Sequence, residues 1–260
     1  MTTSMKKENA FANIVFMILP AVILIAVILV AWQAYCVTGN IPEWQMPSPS
    51  GIIKACFTGF SESLPYLQST YFCIIIGFLL SVVVGIGLAL LLSNSRILSA
   101  ALTPLIVILC CVPMVTLVPL LLISMGTGPG PKILAIVIQC FPIINMNTCV
   151  GFANVDSTRI ELMKSLKATK VEMYRYCIFR DAMPNIFTGI RLASVLAMIS
   201  GVSAELCGGS GGLGNNISTL LGLSRTSEAF GCLIYIIILG LIIYGLVSQL
   251  EKKLTKGMGM

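Results

Sequence analysis

The chain has 260 residues, 57% of them hydrophobic and only 10% charged, with a formal net charge of +6 and no histidine. Soluble domains carry roughly 25% charged residues, so this composition excludes a soluble globular protein and points to a membrane-embedded one. The missing histidine excludes Ser-His hydrolysis, HExxH metalloprotease chemistry and haem ligation through imidazole.

The apolar runs are continuous and about 20 residues long, which predicts an all-α membrane protein, since barrel strands would alternate. Six spans are predicted, at about 12–35, 69–92, 100–125, 132–152, 185–207 and 228–250, in one transmembrane domain covering 1–260. Lys6 and Lys7 precede the first span, which is too long for a signal-peptide core. Pro42, Pro47 and Pro49 mark an outer loop, followed by an amphipathic piece at about 52–64. In the second span Gly77, Ser81, Gly85 and Ala89 recur every four residues, a stripe that suits close helix packing. Pro104, Pro113 and Pro119 in the third span predict a bent or broken helix. The GTGPGP run at 126–131 is a tight outer turn, and the Gly-rich segment at 208–227 is an outer loop with room for a short helix. The ten cysteines lack metal-type spacing and read as small core residues.

Two apparent motifs carry no chemistry. GGSGG at 208–212 matches a hydrolase elbow but follows a membrane helix, and the chain has no histidine partner. GSGGLG at 209–214 lacks the βαβ setting of a dinucleotide site. The GTGPGPK run is no phosphate loop, so any ATP belongs to another subunit.

Residues 153–184 form the one long polar insert. Its stretch 156–184, DSTRIELMKSLKATKVEMYRYCIFRDAMP, holds six of the sixteen Lys and Arg and four of the ten acids. Thr158 with Glu161, and Thr169 with Glu172, match capping boxes. They predict two short helices, at about 159–166 and 170–179, with Ile160, Met163 and Leu166 on one face of the first. A capped, partly apolar element between two spans reads as a docking surface, and Cys177 as an accessible thiol within it. With six spans, one side carries Lys6, Lys7, Arg96, the insert's six basic residues, Lys252, Lys253 and Lys256. The other carries only Lys54, Lys132 and Arg225. The positive-inside rule then predicts cytoplasmic termini and a cytoplasmic insert.

Glu205 is the one acid predicted inside a span, near its outer end. Intramembrane charge faces a cavity or a partner, and both readings stay open for it. Arg191, near the inner end of that span, reads as snorkelling to the interface. Ala197, Ser200, Gly201 and Ser203 line up with Glu205 as a mildly polar pathway set.

At this point the residues resemble a known family. The insert is similar to the EAA loop of permease subunits from ATP-binding-cassette (ABC) importers. Glu161 falls on its acid, Leu162 and Met163 on the two alanines, Lys167 on the glycine, Cys177 on the isoleucine, Phe179 on the leucine and Arg180 on the proline. The flanks resemble the nitrate, sulfonate, taurine and vitamin-precursor branch. They include Pro104-Leu105, Val118-Pro119-Leu120, Phe141-Pro142-Ile143, Ser165-Leu166-x-Ala168, Thr188-Gly189-Ile190-Arg191-Leu192-Ala193, and Ala204-Glu205-Leu206 with Gly212-Leu213-Gly214. The resemblance implies a six-span type I importer permease that catalyses no chemistry and binds no cofactor itself. It implies pairing with a second copy, two cytoplasmic ATPases holding ATP and Mg, an extracytoplasmic solute-binding protein, a bacterial cell membrane around it and no nucleic acid. It assigns ATPase coupling to Glu161, Met163, Ser165, Leu166, Lys167, Ala168 and Thr169. The rival readings are a self-contained secondary transporter, which would need internal repeats and midplane charges, and a membrane enzyme, which would need paired acids or histidine.

Overall fold

The computed structural model describes residues 2–256, with side chains from 19 to 255. The Lys6, Lys7 and Lys256 side chains lie outside the described residues. Among the described residues all regular structure is helical. The elements are α1 (Thr2–Thr38), α2 (Pro49–Thr58), α3 (Phe60–Asn94), α4 (Arg96–Cys111), α5 (Met114–Met125), α6 (Pro129–Ala153), α7 (Ser157–Ser165), α8 (Lys170–Met173), a π-helical turn (Tyr174–Ile178), α9 (Phe179–Leu206), α10 (Leu213–Gly222) and α11 (Thr226–Lys256).

Five helical stretches are long and apolar enough to cross a membrane, and α4 with α5, counted as one broken span, makes a sixth. These two helices meet at 98°. The break sits where the sequence forces it. Pro113 has no N–H to donate and pushes the preceding residue out of the helical region, so Val112 is extended, at φ −74°, ψ 119°. Pro104 and Pro119 lie inside α4 and α5 without ending either helix.

Two sequence expectations are corrected here. The amphipathic piece at 52–64 is divided between two helices and does not all precede the second span. Residues 49–58 form α2, and the chain is already in α3 from Phe60, passing through Pro65. The second loop helix at 170–179 is likewise not separate from the fifth span. Residues 170–206 run as one helical stretch through α8, the π turn and α9. Thr169 caps that stretch strongly, so it begins there, and Pro184 lies within it and not at its start.

The chain divides into two compact units. In the first, residues up to 61 join 220–231. Trp32 packs edge-on against Phe230, with ring centroids 6.3 Å apart. Ser48 caps α2 by accepting the Gly51 N–H, with Pro49 at the first helical position. Thr226 Oγ1 donates to the Trp44 carbonyl at 2.9 Å.

In the second unit, residues 62–219 join 232 onwards, and α6 is the central helix. It presents Ile136, Cys140 and Ile144, four residues apart and all fully buried. The small-residue stripes of α3 and α9 receive this ridge. A Cβ on Gly77 would lie 2.8 Å from the Ile136 Cβ, and one on Gly85 would lie 2.8 Å from the Ile144 Cβ. From α9, Ala193 and Ala197 join the same cluster. Three rows at four-residue spacing thus interlock. The Asn145 side chain donates to the Gly85 carbonyl at 3.1 Å, satisfying a polar group inside the bundle. Cys36, Cys73, Cys140, Cys177 and Cys232 are buried, as expected of small core residues, whereas Cys111 is exposed.

Candidate functional site

The insert starts with a cap that the sequence pattern misplaced. Asp156, not Thr158, caps α7: its carboxylate accepts the Thr158 N–H at 2.9 Å. A carboxylate is at least as good an N-cap as a hydroxyl, and here it comes first in the chain. That hydrogen bond holds the Asp156 carboxyl below the usual carboxylate range.

The end of α7 is equally defined. Lys167 takes the left-handed conformation at φ +55°. Its N–H donates to the Lys164 carbonyl at 2.9 Å, and the Ala168 N–H reaches back to the Met163 carbonyl at 3.0 Å. This pair of bonds is a Schellman motif, which satisfies the last carbonyls of the helix. So the turn that suits glycine is kept, with a lysine carrying its strain. Next, Thr169 and Glu172 make a complete capping box. The Thr169 N–H donates to Glu172 Oε2 at 2.8 Å, and the Glu172 N–H donates to Thr169 Oγ1 at 3.3 Å.

The loop is also fastened sideways. Arg159 forms an ion pair with Asp181 at the start of α9. Tyr174 and Phe179 pack edge-on against Phe152 of α6. What these ties leave exposed is the outer face: Glu161, Ser165, Lys167, Thr169, and the apolar Leu162, Leu166 and Val171. Met163 and Ala168 are half-buried beneath them, as is Ile160. The three residues predicted to share a face therefore divide, with only Leu166 open. Cys177 is buried and is no accessible thiol.

The opposite end of the second unit holds a buried ionic knot. Glu205, at the end of α9, and Lys132, at the start of α6, are each 1% exposed, with Nζ 3.5 Å from Oε1. Lys132 Nζ also donates to the Ser210 and Gly211 carbonyls, both at 2.8 Å. Glu205 accepts from Thr70 Oγ1 of α3 at 2.9 Å and from the Gly214 N–H at 2.9 Å. Thr70 Oγ1 in turn accepts the Leu213 N–H at 2.8 Å. Three helices and the Gly-rich loop are thereby tied through one charge pair. The glycines of GSGGLG find their reason here. Gly212 sits at φ +97°, and a Cβ on it would lie 2.0 Å from Glu205 Oε1. Ser210 adds a link to the 126–131 turn, donating from its N–H and Oγ to the Thr127 carbonyl.

Sequence reasoning placed Lys132 on the outer side, at the start of the fourth span, and overlooked it as a partner. The signal was available: one lone cation and one lone acid at matching ends of neighbouring spans. Arg191 likewise has a partner, Glu251 of α11 at 3.3 Å, where snorkelling was expected. Of the pathway set, Ala197 belongs to the buried helix core and Gly201 faces Ile74 and Ile136 there. Ser200 is buried with an unpartnered hydroxyl, and Ser203 is half-buried. These four share α9 with Glu205, which the knot holds.

A helical bundle with one broken span, a central α6 and a capped polar loop has the architecture of a transporter transmembrane subunit. A chain from the crystal structure of an amino acid ABC transporter with histidines matches the fold with a TM-score of 0.60. It is 18% identical and covers 76% of this chain and 98% of its own. Residues 77–256 match the model of the family described as binding-protein-dependent transport system inner membrane component, and this chain belongs to that family. It is similar to the aliphatic sulfonates transport permease assigned as SsuC in Bacillus subtilis (strain 168), at 30% identity over 89% of this chain and 84% of that protein. It is also similar to the nitrate import permease NrtB of Synechocystis sp. (strain ATCC 27184 / PCC 6803 / Kazusa), at 29% identity over 88% and 86%. The chain is therefore a multi-pass permease subunit of an ABC importer, as the sequence resemblance implied.

Proposed function

We propose that this permease works as a pair of identical subunits, alternating its access while two cytoplasmic ATPases bind ATP and Mg and drive the cycle. Each ATPase docks on the 157–169 loop of one subunit. The observation that carries this reading is the loop's construction: both ends are capped, its side is tied to α9, and Glu161, Leu162 and Leu166 are left on an exposed face. A rigid element continuous with a membrane span transmits motion, where a floppy one would absorb it. An extracytoplasmic binding protein delivers the solute and selects it, so the permease itself needs few specific contacts. The charge bias supports cytoplasmic termini and a bacterial inner-membrane setting.

In this scheme the Lys132–Glu205 knot stiffens the outer end of α3, α6 and α9. Ala197 and Gly201 let α9 pack closely in the helix core, so that α9 moves together with α3 and α6. The substrate class follows the branch: small anions such as sulfonates or nitrate, or a vitamin precursor. Co-purification tests the assignment. Tagged wild-type chain retains its ATPase, and Glu161→Ala retains clearly less at equal permease yield. Full transport by the chain in the absence of any ATPase would overturn the reading.

A further inference from the structure

At the loop end of the second unit, a groove of about 520 Å³ runs between the last turn of α3 and the helical stretch that begins at Lys170. Leu90, Val171, Tyr174 and Phe179 line it together with Asn94 and two cations, Lys170 and Arg175. The π turn builds its floor. In a regular α-helix, residues five apart point in clearly different directions. Here the wider turn, closed by the Phe179 N–H on the Tyr174 carbonyl, brings Tyr174 and Phe179 together, with centroids 6.5 Å apart. Tyr174 is further held by a 2.9 Å hydrogen bond between its hydroxyl and Ser93 Oγ.

The two cations are exposed, and no acid lines the groove. Neither cation has a carboxylate within ion-pair distance among the described residues. Arg175 instead lies 5.6 Å from the centroid of the Tyr176 ring. Leu90 lies two residues before the apolar run of α3 ends at Leu92 and gives way to Ser93-Asn94-Ser95-Arg96. An apolar channel therefore meets two unneutralised cations at the level where a membrane span ends. An anionic phospholipid carries the complement of both features, an acyl chain joined to a net negative phosphate group. A zwitterionic lipid offers the chain without the net charge.

We propose that this groove is an anionic-phospholipid site, with the lipid phosphate on Lys170 and Arg175 and an acyl chain along Leu90, Val171, Tyr174 and Phe179. Its assignment to the inner leaflet rests on the orientation proposed above, whereas binding itself does not. The site lies directly after the Thr169 cap, so its occupant would brace the helix that the docking loop leads into.

The test uses the purified full chain alone in neutral detergent, titrated with dioctanoyl phosphatidylglycerol, dioctanoyl phosphatidylcholine or inorganic phosphate. Binding is read by native mass spectrometry and by the shift in unfolding temperature. Phosphatidylglycerol should bind saturably. The double variant K170Q/R175Q should bind it about tenfold more weakly or worse, with its own unfolding temperature unchanged. Equal binding of phosphatidylcholine would overturn the site, as would a full effect from inorganic phosphate or unchanged affinity in the double variant. Release of bound phosphatidylglycerol when the partner ATPase is added would assign the groove to that protein instead. Because the titration needs no ATPase, its failure and a failure of the docking reading are separate results.

Discussion

Lys132 and Glu205, 73 positions apart in the chain, meet as a fully buried ion pair with Nζ 3.5 Å from Oε1. A buried pair of this kind adds little over an apolar substitute, but losing one member leaves the other charged and unmatched. Glu205→Ala should destabilise the protein by about 3–5 kcal/mol, and Lys132→Met should cost a similar amount. The Lys132→Met/Glu205→Ala double variant should cost less than the sum of these two singles by about 1 kcal/mol or more. Thermal unfolding in detergent measures all of these. A simple sum would show that the two charges do not interact.

Lys167 holds a left-handed backbone where a glycine would be unstrained. Lys167→Gly should stabilise the loop by about 0.5–1 kcal/mol, whereas the β-branched Lys167→Val should destabilise it. Slower amide exchange at Ala168, whose N–H closes the turn, would report the gain. If ATPase capture falls in the stabilised variant, the lysine side chain itself contributes to docking.

The Asp156 carboxyl titrates below its usual range because the charged form accepts the Thr158 N–H. The folded-state value is depressed, so the cap's contribution is present in full above the unfolded value of about 3.9. It is lost as pH falls through the lower folded value. Protection of the Thr158 amide, relative to its intrinsic exchange rate, should fall with acid more in the wild type than in Asp156→Asn, which keeps an uncharged cap. Identical acid profiles would contradict the cap's role.

Gly85 admits no side chain without movement. A Cβ there would meet Ile144 at 2.8 Å and the Phe141 carbonyl oxygen, a backbone atom, at 3.0 Å. Gly85→Val should therefore cost about 1–3 kcal/mol and lower the yield of folded protein. Ile144→Ala opens the site and should recover part of that loss in combination. No recovery would place the strain at the backbone alone.

Ser165 is exposed on the docking loop. A Ser165→Cys reporter should react with an impermeant thiol reagent in inside-out vesicles and stay unlabelled in intact cells, after the exposed native thiol Cys111 has been replaced. Labelling from outside would invert the orientation derived from charge.

Much of this molecule was legible in the order of its residues. Continuous apolar runs give membrane helices because lipid leaves the backbone no other partner. Of the three prolines in the third span only Pro113 broke it, where the residue before it is held extended. Four-residue spacing of small residues announced close packing, and the Thr169–Glu172 box announced a helix start. Each of these is a local matter, decided by a few neighbours in the chain. Tertiary structure decided the remainder. Nothing local tells Thr169 whether its helix will stop after ten residues or run on as a membrane span. That depends on what the following face packs against, and Phe152, Tyr174 and Phe179 supply the answer. Nor could the chain alone say that Lys132 is buried, because a lysine at the edge of a span looks solvated until a carboxylate folds onto it. Charge pairs across helices are set by three-dimensional approach, since a buried charge is tolerated only where its counter-charge and the surrounding hydrogen bonds arrive together.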